Sequence, residues 1–144
     1  MRCQIGKGSI CHNFCRSQIA EALGRHLAGD VMGCYSAGTA IKTQMNQDAV
    51  RLMKQYYSIN METTQYGKLL SSIPPVDIVV TIGCNVQYPF LPCRYCEDWG
   101  GDDSTGKSDL KLLAVMEKMA SNISVLKNDF TGRSVVKIVN TLIL

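Results

Sequence analysis

The chain has 144 residues, a length that fits one domain built around one sizeable core. Its composition, 46% hydrophobic and 19% charged with a net charge of +3, is ordinary for a globular protein and too weakly basic to argue for a nucleic-acid partner. No apolar run is long enough to span a bilayer and the first residues lack the apolar centre of an export signal, so no membrane is expected and the expected compartment is the cytoplasm.

In chain order, residues 1–10 carry Gly6 and Gly8 with little periodicity and predict a weak strand or a loose lead-in. From Ser17 the apolar positions Ile19, Ala20, Leu23 and Leu27 recur at helical spacing and stop near Gly29. Cys34 to Thr39 predicts a short strand that leaves through Gly38. A second helix is expected from Asn46, whose side chain can cap the first N–H groups, with Ala49, Val50, Met53 and Tyr56 on its buried face. A third helix is expected over Thr64 to Ser72, ended by Pro74-Pro75. Val76 to Ile82 is an apolar run of the kind found in parallel sheets. Gly83 to Gly106 is a long polar and aromatic connection, with a short strand near Glu97–Trp99, and connections of that length are usually functional. Leu112, Val115, Met116, Met119, Ile123 and Leu126 mark the last helix. The alternation of strands and helices predicts an α/β, three-layer sandwich around a central parallel four-stranded sheet. One domain is expected over residues 1–130, followed by an apolar tail, 131–144. The tail either packs on the body or a partner chain, or forms a strand in the central sheet position that residues 1–10 are too polar to fill.

Seven cysteines in a reducing compartment are expected to be thiols and not a disulfide framework. Cys34 is expected in the core and Cys3 as an exposed thiol. The segment Cys11-His12-Asn13-Phe14-Cys15-Arg16-Ser17 sets a cysteine and turn residues directly before a helix. Loop and helix-start N–H groups there can hold a tetrahedral oxyanion, with help from the helix dipole. Arg16 can grip two of its oxygens, and the same positive field lowers a thiol's pKa and so activates it as a nucleophile. His12, Asn13, Phe14, Cys15 and Arg16 are therefore candidate oxyanion-binding residues. His12 is expected to shape the loop and not to act as a base. His26 is expected to face solvent, and Met53, Tyr56 and Tyr57 to belong to the core. Cys84, Cys93 and Cys96 could supply three zinc ligands, but no histidine or second C-x-x-C completes a tetrahedron, so no metal is expected.

Asn13 with Cys15-Arg16-Ser17-Gln18, Tyr35-Ser36-Ala37-Gly38-Thr39, Asp77-Ile78-Val79-Val80-Thr81 and Trp99-Gly100-Gly101-Asp102-Asp103 occur in an order and spacing that resemble the low-molecular-weight tyrosine phosphatase superfamily. Within it, the chain is similar to the thioredoxin-coupled arsenate reductases, over about residues 10 to 128. The resemblance implies that Cys11 attacks arsenate or a phosphate ester while Arg16 and loop N–H groups stabilise the oxygens. It implies that Ser17 hydrogen-bonds the thiolate and that Asp103 is the general acid. It further implies that Cys84 attacks the cysteine–arsenic adduct, and that a third thiol, Cys93 with Cys96 in reserve, forms the disulfide reduced by thioredoxin or another dithiol. No bound cofactor is implied.

The sequence also departs from the family pattern. Four residues separate Cys11 from Arg16 where the family has five, so strict alignment to Arg16 places Ile10 at the nucleophile position. The slot before Pro89 that holds a cysteine in the reductases is Tyr88, Ser104 replaces the proline after the acid, and the apolar first strand is missing. The leading expectation is a cytoplasmic arsenate reductase. A small phosphatase and a catalytically dead oxyanion-binding relative are the alternatives.

Overall fold

The computed structural model describes residues 2–3, 15–37, 46–64, 69–82, 91–92, 95–99, 108–131 and 139–143. The first long element is α1, Cys15–Ala28, which begins two residues before the apolar periodicity does. Ser17 through Gly24 are buried, so this stretch of the helix is enclosed on all sides. At its other end Gly29 turns so tightly that a Cβ there would lie 2.5 Å from the Arg25 carbonyl oxygen. Lys127 donates to the Leu27 carbonyl at 3.0 Å and pairs with Asp30, which places a cation at the negative end of α1.

Strand β2, Met32–Ser36, follows directly, with Met32, Cys34 and Ser36 buried. Helix α2, Gln47–Tyr57, starts as expected: the Asn46 side chain accepts from the Ala49 N–H at 3.0 Å. Its buried stripe is Ala49, Val50, Leu52 and Met53. Tyr56 is 58% exposed, contrary to expectation, because the stripe steps from Met53 to Tyr57 at i+4 and leaves Tyr56 on the outer side.

Where a single helix is expected over Thr64 to Ser72, the described residues form α3, Met61–Thr64, and a 3₁₀ turn at Leu70–Ser72, and residues 65–68 lie outside the described residues. The start is moved by Asn60, whose side chain accepts from the Glu62 N–H while its carbonyl accepts from the Thr63 and Thr64 hydroxyls. Strand β3 is Ile78–Thr81, β5 is Tyr95–Asp98 and α4 is Asp109–Thr131. Two short strands, β1 at Arg2–Cys3 and β4 at Leu91–Pro92, pair antiparallel in a separate two-stranded sheet.

The last strand, β6, is Val139–Ile143. It lies in the middle of the main sheet, whose order is β2-β6-β3-β5 with every pairing parallel. Cys34, Thr141 and Ile78 share one register row and Tyr35, Leu142 and Val79 the next. Successive strand residues point to opposite faces, and Ile78, Val79, Val80, Leu142 and Ile143 are all buried. Both faces are thus covered, as a parallel sheet requires. On one face α1 packs against α4 and β2 through a core of Ile19, Leu23, Met116, Ile123 and Leu126. The sheet is the four-stranded parallel sheet of an α/β fold, as the sequence predicts.

Candidate active site

The short Gly29–Val31 turn makes α1 and β2 run in opposite directions. The first turn of α1 therefore stands at the carboxyl end of β2, beside the carboxyl ends of β6, β3 and β5. Ligands of open parallel sheets bind at this edge. A helix start here adds N–H groups that lack carbonyl partners in their own helix, and the positive end of its dipole.

Arg16 and Ser17 lie in that first turn, Arg16 partly exposed and Ser17 buried at 6% exposure. Cys15 opens the helix. The structure thus brings the Arg-Ser pair to the carboxyl edge of the sheet. Cys11, His12, Asn13 and Phe14 lie outside the described residues, as do Cys84, Cys93 and Asp103. Cys96 falls within β5, where its backbone pairs with Val79. Among the described residues, no three His, Cys, Asp or Glu side chains gather as a metal site.

At the β5 end, the Trp99 N–H donates to the Thr81 carbonyl at 2.8 Å. The indole is buried, with no partner for its Nε1 among the described residues, immediately before the segment that carries Asp103. Cys34 sits on the core face of β2 with its thiol pushed up to about 12, first by burial and then by the negative charge of Glu21. That thiol is packing, as expected, and cannot be the nucleophile at neutral pH. His26 is exposed, also as expected.

Two residues not selected from the sequence stand out. Glu21 is fully buried, one turn behind Arg16 and Ser17. It accepts from the Ser36 N–H at 2.9 Å and from the Ser36 hydroxyl. Its other oxygen meets Arg25 Nη2 at 2.9 Å, as an ion pair and not an aligned hydrogen bond. Arg25 also donates to the Cys34 carbonyl at 3.1 Å and lies over the Tyr35 ring. The only sequence sign of this arrangement is an acidic residue among the apolar positions of α1, and it does not name Ser36 as partner.

A profile of the low molecular weight phosphotyrosine protein phosphatases matches residues 9–89, more than half of the chain. The chain belongs to this family. Within the family it is similar to arsenate reductase 1 of Staphylococcus epidermidis, 32% identical over 118 residues that cover 77% of this chain and 86% of that protein. Arsenate reductase 2 of Staphylococcus saprophyticus is 34% identical over the same shares. A solved arsenate reductase in its reduced state superposes with a TM-score of 0.67 over 82% of this chain and 92% of its own, at 23% identity, and so supports the fold. The family assignment agrees with the parallel sheet and with the helix start at its carboxyl edge. No helix among the described residues is long and apolar enough to cross a membrane.

Proposed function

We propose that this family member is an arsenate reductase. The observation that carries the reading is Arg16 with buried Ser17 in the first turn of α1 at the sheet's carboxyl edge. The chain around them resembles proteins named arsenate reductases along most of both lengths. Arg16 and the helix-start N–H groups hold the arsenate oxygens and offset the charge that builds on them. The Cys11 thiolate attacks arsenic, and Asp103 protonates the oxygen that leaves as water. The Cys84 thiolate then attacks the Cys11 sulfur. The electron pair of the sulfur–arsenic bond passes to arsenic, which leaves as arsenite, and a Cys11–Cys84 disulfide remains. Cys93 exchanges into it, freeing Cys11, and the resulting Cys84–Cys93 disulfide is reduced by thioredoxin or another dithiol. Such a cycle suits the reducing cytoplasm.

A phosphatase would need Cys11, Arg16 and Asp103 but neither Cys84 nor Cys93, and this difference gives the test. Reduced protein is supplied with arsenate, thioredoxin, thioredoxin reductase and NADPH, and arsenite is measured. The expected result is arsenate-dependent NADPH oxidation with arsenite release in the wild type, abolished by Cys11→Ser and by Cys84→Ser. Hydrolysis of p-nitrophenyl phosphate without arsenite formation would establish the phosphatase instead. Inertness in both assays would mark a dead oxyanion-binding relative.

A further inference from the structure

We infer that Glu21 is a positioning residue for the oxyanion site, an inference that rests on the proposed function for its kinetic consequences. In a strand–loop–helix unit the central strand leads by its own backbone into the helix that faces the anion. Here the central strand is β6, from the far end of the chain, and it has no backbone continuity with α1. The described residues upstream of α1, Arg2–Cys3, pair with Leu91–Pro92 outside the main sheet. Contacts of α1 with β2 and β6 hold it on the sheet.

Towards the start of α1, among the described residues, Glu21 makes one such contact. Its carboxylate takes both the N–H and the hydroxyl of Ser36, the last residue of β2. The next residue, Ala37, donates to the carbonyl of Ile143 at the end of β6. One buried side chain thus ties α1 through the end of β2 to the end of the central strand. Glu21 lies five positions after Arg16, about 7.5 Å along the helix axis, so it acts on the site through the first turn. Arg25 holds the second oxygen and keeps the buried carboxylate paired. Displacements on the order of 1 Å at such sites can change rates about a hundredfold, so a loosened clamp has a kinetic effect.

The test compares Glu21→Gln, which keeps an acceptor for Ser36, with Glu21→Ala and Ser36→Ala, each assayed well below its own Tm. Glu21→Ala is expected to raise KM for arsenate about tenfold, with a smaller change in kcat, and Glu21→Gln to recover most of the loss. Amide hydrogen exchange is expected to accelerate over residues 15–22 and 32–37 in Glu21→Ala and Ser36→Ala, but not in the centre of α4. A lowered Tm with unchanged KM and unchanged exchange over residues 15–22 would overturn the inference. If the wild type reduces no arsenate, the proposed function fails. The exchange measurement then decides the clamp alone: acceleration over 15–22 supports it and an unchanged rate overturns it. Should Glu21→Ala not fold, the Glu21→Gln and Ser36→Ala variants decide on the same criteria.

Discussion

Thr141 is fully buried in the middle of β6, and among the described residues its hydroxyl has no hydrogen-bond partner. An unpaired buried hydroxyl costs free energy that a methyl of the same shape does not. Thr141→Val is therefore expected to leave stability unchanged or raise it by about 1 kcal/mol, read as a higher denaturation midpoint. A clear loss would mean that the hydroxyl is satisfied. Cys34 gives a second prediction at this scale. Its thiol is held up to about 12 in the folded protein, against 9.0 for an unperturbed thiol. The folded state therefore keeps its proton where the unfolded state loses it. The stabilisation is complete below about pH 9 and is lost as pH rises towards 12, so the protein should weaken progressively over that window. In native protein at pH 8, iodoacetamide should leave Cys34 unmodified. Rapid native labelling of Cys34 would contradict its burial.

Among the elements, α1 sits closely on β2 at Gly24. A Cβ built on Gly24 would lie 2.5 Å from Cys34 Sγ and 3.1 Å from its Cβ. Gly24→Ala should destabilise by about 1–3 kcal/mol through overpacking, despite alanine's better helix propensity. Adding Cys34→Ala should recover part of that loss, since it removes the nearer atom. Simple additivity in a double-mutant cycle would show that the contact is not the cause. The helix starts differ in how far the sequence reveals them. Asn46 announces α2 by its own chemistry, and the structure finds that cap. Asn60 does the same for α3, but Thr63 and Thr64 are poor helix formers and the element is only one turn long, too short for periodicity to register. The left-handed Ser58 that ends α2, at φ 56°, carries no glycine to mark it. Glu21 is legible as a charge among apolar positions, whereas its pairing with Ser36 depends on tertiary placement.

At the scale of the whole molecule, the parallel α/β sheet is legible because β3 lies in an unbroken apolar run and α4 is long, with apolar residues at helical spacing. Arg16 and Ser17 were legible as a helix start, and their position at the carboxyl edge follows from the tight return of the chain into β2. The place of Val139–Ile143 was less so: an apolar terminal segment reads equally as a packed tail or a strand until the vacancy between β2 and β3 is known. With β6 there, parallel pairing runs on both of its sides and Leu142 and Ile143 are buried. Deleting residues 132–144 should split the sheet into β2 and β3-β5 and abolish cooperative unfolding, because the loss is comparable to a domain's whole stability of about 5–15 kcal/mol. An unchanged Tm would show that the sheet does not depend on this strand.

The proposed function requires the anion site at the start of α1 to serve arsenate reduction with Cys84 as the second thiol. A single turnover tests it most directly: fully reduced protein is mixed with arsenate without reductant, then alkylated and analysed by mass spectrometry. The expected result is one disulfide that includes Cys84, with the loss of two hydrogens, and one arsenite released per disulfide formed. Arsenite release with Cys84 still alkylated as a free thiol, or unchanged protein and no arsenite, would contradict it.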